Sequence, residues 1–236
     1  MRKIEFVNRQ IYHIYNRGVE KRNTFLDDKD YFRFLHDLFE FNDEKPAENV
    51  YYKNLLPQLY EAPQLYEAEP RKVEARKLLV EILVFCLMPN HYHFLLRQLQ
   101  ENGITKFMHK LGTGYTMYFN QRYKRTGVLF QGRFKAVLVN QEAHFTHLPY
   151  YIHLNPLDLK EPEWREGKIR NYQMAIQFLE SYRWSSYLDY IGGKNFPSLT
   201  QRNFLLNALG GDKLKENTEN WLREIQLERI KGVTLE

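Results

Sequence analysis

The stretch Leu83 to Arg97 reads Leu-Val-Phe-Cys-Leu-Met-Pro-Asn-His-Tyr-His-Phe-Leu-Leu-Arg. Two apolar runs of strand-like composition flank the turn Met88-Pro89-Asn90, which predicts an antiparallel hairpin. Because side chains alternate faces along a strand, His91 and His93 are expected on the same face. Neutral imidazole is a common metal ligand, so the pair is a candidate for part of a metal site. Taken alone, however, a His-x-His pair in a strand is more often an ordinary surface or half-buried pair.

Composition narrows the class of protein. The chain of 236 residues is long enough for one large domain, or for one domain and an appendage. Its net charge of +5 and pI of about 9.1 favour a polyanionic partner such as nucleic acid. The single cysteine, Cys86, excludes an intramolecular disulfide framework and fits a reducing cytoplasm, so we expect a cytoplasmic protein. Neither an apolar signal segment nor a membrane-spanning run is recognisable, and no membrane partner is expected.

The elements around the hairpin alternate between strands and helices. Gln10 to Tyr15 is rich in β-branched and aromatic residues and predicts a first strand. Asp27 or Asp28 is the expected cap of a helix that runs to about Phe41. Apolar residues from Ile104 to Phe119 recur at helical spacing, which predicts an amphipathic helix with an aromatic stripe that packs in the core.

The region after that helix is predicted in less detail. Residues 136–139 suggest a further strand, and residues 141–148 suggest a helix. Pro149 either interrupts that helix or begins a new one. If residues 150–155 are helical, Tyr151 and Asn155 share a face at a spacing of four residues.

Two segments lie outside this pattern. Residues 45–77 contain a tandem repeat of Pro-Gln-Leu-Tyr-Glu-Ala, and we interpret them as a surface insertion. Residues 193–236 predict a helical C-terminal tail, either a packing element or a weak match to a helix-turn-helix. The predicted division is therefore a domain of residues 1–192 and a tail of residues 193–236.

Residues 122–135 interleave cations with aromatic residues and two glycines. Arg and Lys side chains in such a loop can contact phosphates while aromatic rings stack on bases. A solvated basic loop without a partner is the alternative interpretation of this feature.

Five motifs in order resemble one known family. They are Tyr12-His13-Ile14 with Asn16-Arg17-Gly18, then Met88-Pro89-Asn90-His91-Tyr92-His93-Phe94-Leu95, then Gly127-Val128-Leu129-Phe130-Gln131-Gly132-Arg133-Phe134-Lys135, then Tyr151-Ile152-His153-Leu154-Asn155-Pro156, and then Trp184-Ser185-Ser186-Tyr187. Together they resemble the REP-associated tyrosine transposases, which belong to the single-tyrosine HUH transposases. The matches span roughly residues 10–190.

The resemblance implies an α+β fold, namely a ferredoxin-like antiparallel sheet with helices packed on one face, followed by the helical tail. It also implies a transposase, that is, a metal-dependent endonuclease and strand transferase that acts on single-stranded or hairpin DNA. By the same resemblance, His91 and His93 match the metal-binding pair and Tyr151 matches the nucleophile.

The chemistry is consistent with these residue types. A Mg²⁺ or Mn²⁺ ion neutralises charge on a phosphate oxygen during phosphodiester cleavage. Hard cations prefer oxygen ligands, so two imidazoles alone bind such an ion weakly and an oxygen ligand is expected. Asn155 is our candidate for this third ligand. Attack by Tyr151 would leave a 5′-phosphotyrosine link and a free 3′-hydroxyl, which can join a different DNA end.

Several assignments have rivals. Tyr150 is an alternative nucleophile, although Leu154 at the corresponding spacing offers no metal ligand. His153 is expected to be structural, and His13 has either a core or surface role or a place beside the site. Candidates for DNA contact are Gln131, Arg133 and Lys135, followed by Arg17, Arg122, Lys124 and Arg125.

Two other functions compete with this interpretation. One is a zinc site formed by Cys86, His91 and His93, although zinc prefers three or four nitrogen and sulfur ligands. The other is a non-catalytic DNA-binding regulator derived from a transposase, which would need the basic loop but no nucleophile. The sequence leaves both a monomer and a homodimer open.

Overall fold

A computed structural model describes residues 4–46, 76–209 and 211–224. Within these ranges the strands are β1 (Ile11–Arg17), β2 (Val80–Met88), β3 (His91–Gln98) and β4 (Lys135–Leu138). The helices are α1 (Asp28–Glu40), α2 (Gly103–Arg122), α3 (Glu142–Leu154), α4 (Tyr172–Ser181), α5 (Tyr187–Tyr190), α6 (Arg202–Leu209) and α7 (Leu214–Glu224). Most of the insertion predicted at 45–77 lies outside the described residues, and so does the predicted tail helix beyond residue 224.

The strands form one sheet in the order β2-β3-β1-β4, and every neighbouring pair is antiparallel. The chain order β1-α1-β2-β3-α2-β4 with this strand order is the split βαβ arrangement of ferredoxin-like folds. The predicted α+β class and antiparallel sheet are therefore confirmed. The hairpin also forms as predicted, since β2 ends and β3 begins around Pro89 and Asn90.

Helices α1 and α2 cover one face of the sheet. Asp27 caps α1 as predicted, because its carboxylate accepts a hydrogen bond from the Asp30 backbone amide. The Phe34 ring of α1 contacts Tyr92 of β3 and Tyr115 of α2 with ring centroids 5.5 and 4.8 Å apart. The aromatic stripe of α2 thus belongs to the core, as the spacing indicated.

Gly114 allows α1 and α2 to approach closely. A Cβ atom at this position would lie 2.6 Å from the Phe41 ring, which follows the end of α1. Glycine weakens a helix relative to alanine, so its place in α2 is explained by this contact rather than by helix propensity.

Helix α3 lies on the opposite face of the sheet, the face to which His93 projects. It runs without a break from residue 142 to residue 154, so Pro149 is inside the helix and does not interrupt it. The buried face of α3 contacts the sheet through Tyr151, whose ring meets that of His93. The continuous helix is what places Tyr151 and Asn155 on the same side.

Residues 184–186 are hydrogen-bonded to the free edge of β2 and form an isolated bridge there. The Leu87 amide donates to the Trp184 carbonyl at 2.9 Å, and the Ser186 amide donates to the Phe85 carbonyl at 3.0 Å. Ser186 Oγ also lies 2.9 Å from His153 Nε2, which gives His153 a buried structural contact. The motif Trp184-Ser185-Ser186-Tyr187 therefore protects a sheet edge.

The C-terminal helices pack against the rest of the described chain. Leu205 of α6 and Leu222 of α7 are fully buried, and the Gln201 amide donates to the Ile82 carbonyl of β2. Trp221 of α7 reaches α3, where its indole donates to His147 Nδ1 at 2.8 Å. Across the described residues, every helix is too short or too polar to cross a lipid bilayer.

Candidate active site

His91 and His93 lie on the same face of β3, as strand alternation predicted. Their ring centroids are 5.1 Å apart, and His93 is completely buried. Burial lowers the pKa of His91 to about 4. The Asp158 carboxylate acts against this shift, whereas the cations Arg165 and Arg17 lower the pKa further. Burial also lowers the pKa of His93 well below its ordinary value. Both imidazoles are therefore neutral at pH 7, which is the form that binds a metal ion.

His13 of β1 lies beside His93. Its Nε2 atom is 2.9 Å from His93 Nδ1, and the two rings are nearly parallel. The other ring nitrogen of His93, Nε2, is buried without a hydrogen-bond partner among the described residues. If His93 Nδ1 carries the proton and donates a hydrogen bond to His13, the Nε2 atom is unprotonated and its lone pair can bind a metal ion.

Tyr151 and Tyr150 point in different directions from α3. Tyr151 is almost fully buried and meets the His93 ring edge-on, with centroids 6.1 Å apart. Tyr150 packs instead against Trp221 of α7, with centroids 6.4 Å apart, and burial raises its pKa. The structure thus brings Tyr151, and not Tyr150, next to the histidine pair.

Asn155 follows α3 directly and is completely buried. Its Nδ2 atom donates to the Tyr151 carbonyl at 2.8 Å, which holds the amide against the preceding turn. Its Oδ1 atom accepts a hydrogen bond from Arg165 Nη2 at 3.1 Å. The candidate ligand oxygen therefore already has a protein donor.

Arg165 and Asp158 are site residues that the sequence analysis did not identify. Arg165 Nη1 donates to the Tyr151 hydroxyl at 2.8 Å, and its Nη2 donates to Asp158 Oδ2 at 2.7 Å. The Trp164 indole also donates to Asp158, at 2.6 Å. The short helical turns at 155–159 and 164–166 that carry these residues have no apolar period. The available signal was the pair of opposite charges shortly after the predicted nucleophile.

Three of the candidate DNA contacts near β1 and β4 line the same cavity. Arg17 Nε donates to Gln131 Oε1 at 2.8 Å, and both residues line a cavity of about 280 Å³ together with Lys135. Arg133 is exposed in the same loop but lines a different cavity, beside α2. Since Arg17 pairs with His91 in the sheet register, the cavity that Arg17 lines lies next to the histidine pair.

Two of the other candidates are engaged within the protein. Arg122 forms ion pairs with Asp27 at 2.5 Å and with the buried Asp30 at 2.8 Å. Arg125 donates to the Asn120 side chain at 2.6 Å and to the Val128 carbonyl. Lys124 is exposed.

The nitrogen donors of the candidate metal site are the imidazoles of His91 and His93. Within the described part of the chain His93 Nε2 has no hydrogen-bond partner, and His91 is oriented through its Nδ1 atom, which lies 2.6 Å from Asn90 Oδ1. Such outer contacts are typical of metal-binding histidines. Among the described residues, no three His, Cys, Asp or Glu side chains are arranged to hold a metal ion, so Cys86 completes no zinc site.

Comparisons with known proteins agree with the sequence motifs. The family model described as transposase IS200 like matches residues 69–155, a segment that contains His91, His93, Tyr151 and Asn155. No curated protein sequence matches the chain significantly. A solved structure of a REP-associated tyrosine transposase bound to a REP hairpin aligns with a TM-score of 0.49 and 10% identity, covering 84% of this chain and 88% of that one. Residues 69–155 of the chain are therefore similar to the IS200-like transposases, as the motifs indicated.

Proposed function

We propose that this protein is a DNA transposase that cleaves and rejoins single-stranded or hairpin DNA through a covalent tyrosine intermediate. The family match supports a role in DNA transposition. The observation that carries the mechanism is the position of Tyr151, whose ring contacts His93 while the neighbouring Tyr150 packs on the C-terminal helix.

In this proposal His91 and His93 bind Mg²⁺ or Mn²⁺, and the Asn155 amide oxygen is the candidate third ligand. When bound, the ion supplies Lewis-acid stabilisation of the negative charge on the scissile phosphate. The lowered pKa of each histidine keeps its imidazole unprotonated at neutral pH. The Asn155 oxygen accepts one hydrogen bond from Arg165, and its second lone pair can bind the ion.

The reaction balances without an external energy source. The phenol of Tyr151 loses its proton to water, its oxygen bonds to phosphorus, and the bond from phosphorus to the 3′-oxygen breaks. The departing 3′-oxygen takes a proton from water, and the DNA 5′ end stays linked to the tyrosine. Reversal with a different 3′-hydroxyl transfers the strand.

The surface of Arg17, Gln131, Arg133 and Lys135 is the proposed binding site for the DNA backbone. It combines three cations with an amide. Arg17, Gln131 and Lys135 line one cavity beside His91, with which Arg17 pairs, and Arg133 is exposed in the same loop. Phosphate contacts of this kind give affinity that depends strongly on salt.

The test is formation of a covalent protein–DNA adduct. The protein is incubated with Mn²⁺ and labelled single-stranded oligonucleotides that contain hairpins, and adducts are resolved on a denaturing gel. We expect an adduct in the wild type and in Tyr150→Phe, and none in Tyr151→Phe or His91→Ala. Loss in Tyr150→Phe alone would move the nucleophile by one residue. Tight, salt-sensitive binding without any adduct would favour the non-catalytic regulator.

A further inference from the structure

We infer that Arg165 is a further catalytic residue of this site, which positions the Tyr151 hydroxyl and neutralises the phosphate that this oxygen attacks. The inference rests on the proposed function, because it assumes that Tyr151 is the nucleophile. It adds a protein cation to a site whose two histidines are neutral.

The guanidinium of Arg165 is held in a fixed orientation. Only 18% of the side chain is exposed, and Nε and Nη2 both donate to the carboxylate of Asp158, at 3.2 and 2.7 Å. The buried Trp164 ring lies 4.8 Å from the guanidinium carbon and also donates to Asp158. A bidentate ion pair of this geometry restrains both the position and the plane of the guanidinium group.

The same guanidinium reaches two residues of α3 and its C-cap. Nη1 donates to the Tyr151 hydroxyl at 2.8 Å, and Nη2 donates to Asn155 Oδ1 at 3.1 Å. An arginine that only anchored residues 155–166 would need no more than its pair with Asp158. The further contacts join the proposed nucleophile and the proposed third ligand through one planar group.

The contact with Tyr151 has a chemical consequence. A hydrogen bond from a cation to the phenolic oxygen fixes where that oxygen lies and stabilises negative charge on it. A phosphate that comes within bonding distance of this oxygen also comes close to the guanidinium, whose fork matches phosphate oxygens. Arg165 can thus stabilise the charge that develops as the oxygen–phosphorus bond forms and the bond to the 3′-oxygen breaks.

The test separates positioning from folding and from DNA binding. Single-turnover adduct formation at saturating DNA is measured for wild type, Arg165→Lys, Arg165→Gln and Lys168→Gln. Lys168 is the matched control, since it is a cation of the same segment and its amine pairs with the exposed Glu166. We expect Arg165→Gln to lower the rate constant about a hundredfold, the usual loss for one preorganised donor, while the DNA Kd changes less than about threefold. Arg165→Lys should recover part of the rate.

A second readout needs no DNA. Tyr151 is replaced by 3-fluorotyrosine, and its ¹⁹F NMR resonance is recorded with and without Arg165→Gln. A shifted or broadened resonance in Arg165→Gln, with no change in Lys168→Gln, supports the positioning role even if the wild type forms no adduct and the proposed function fails. An unchanged resonance, an unchanged rate constant, or a loss confined to the DNA Kd would overturn the assignment.

Discussion

The Nε2 atom of His13 lies 2.9 Å from the Nδ1 atom of His93, and among the residues that the structure describes the opposite nitrogen of His93 is buried without a hydrogen-bond partner. This pair joins two adjacent strands, β1 and β3, across 80 residues of sequence. The contact orients the His93 ring. If His93 Nδ1 is the donor, its Nε2 atom is unprotonated and keeps the lone pair that a metal ion needs.

His13→Phe should therefore weaken metal binding although His13 is not a proposed ligand. Loss of an outer hydrogen bond to a ligating histidine typically costs ten- to a hundredfold in affinity, and we expect a loss of Mn²⁺ affinity in that range. Electron paramagnetic resonance of free Mn²⁺ during a titration measures it. The control is His109→Gln, which removes an exposed histidine from α2. Equal Mn²⁺ affinity in His13→Phe and wild type would contradict the role given to His13.

Arg122 and Lys135 should respond differently to loss of charge. Lys135→Gln removes a cation from the proposed DNA surface, so the slope of log affinity against log salt should fall in magnitude by about 0.7 for single-stranded DNA.

Arg122→Gln leaves the buried Asp30 carboxylate without its ion pair, so the free energy of unfolding should fall by about 3 kcal/mol. Salt titrations of DNA binding and urea unfolding separate the two effects. A reduced salt slope in Arg122→Gln with unchanged stability would reverse these assignments.

Much of the fold was predictable because its signals are local. Strand alternation placed His91 and His93 on the same face, and helical spacing identified the core stripe of α2. The capping aspartate of α1 is likewise a property of a few neighbouring residues. The continuity of α3 through Pro149 was not predictable in this way, since packing on the sheet and on the C-terminal helix outweighs the missing backbone donor.

The parts of the site that were missed depend on long-range contacts. Arg165 lies in a helical turn without apolar periodicity, and only the folded chain shows that it meets Tyr151. Arg122 pairs with Asp27 and Asp30, 95 and 92 residues earlier in the sequence, so the basic composition of its loop gave no sign of these internal ion pairs. The sequence favoured Tyr151 over Tyr150 through its spacing to Asn155, but the packing of Tyr150 on Trp221 was not predictable, because Trp221 belongs to a helix that the sequence analysis assigned to a separate tail.

Trp221 should be important for stability because it packs on the helix that carries Tyr151. Its ring contacts Tyr150, and its indole donates to His147. Trp221→Ala removes a large buried side chain and should lower the free energy of unfolding by about 3 kcal/mol or more. Trp221→Phe keeps most of the ring and loses the hydrogen bond, so about 1 kcal/mol is expected. Urea unfolding followed by circular dichroism measures both. An unchanged free energy of unfolding in Trp221→Ala would mean that the packing of α7 does not stabilise α3.

His36 should make stability depend on pH. It is buried in α1, and burial followed by the charge of Arg33 lowers its pKa to about 3, although Glu40 Oε1 lies 3.9 Å from its Nε2 atom. The carboxylate of Asp37 on the same helix is bound to Arg33. Below about pH 6.5 the unfolded chain binds a proton at His36 that the folded chain does not. The free energy of unfolding should therefore fall on acidification from about pH 6.5 towards pH 3, by at most about 1.4 kcal/mol per pH unit.

His36→Gln removes this contribution, so the loss of stability on acidification should be smaller in the variant by up to the same amount. Urea unfolding of wild type and variant at about pH 7, 5.5 and 4.5 measures how steeply the free energy of unfolding changes with pH in each protein. The sign is decisive, because a histidine that gained a favourable partner on folding would have a raised pKa and would stabilise the protein at low pH. Parallel slopes for the two proteins would show that the folded chain binds a proton at His36 as readily as the unfolded chain. A wild type that lost less stability on acidification than His36→Gln would show that the nearby Glu40 carboxylate outweighs burial and Arg33.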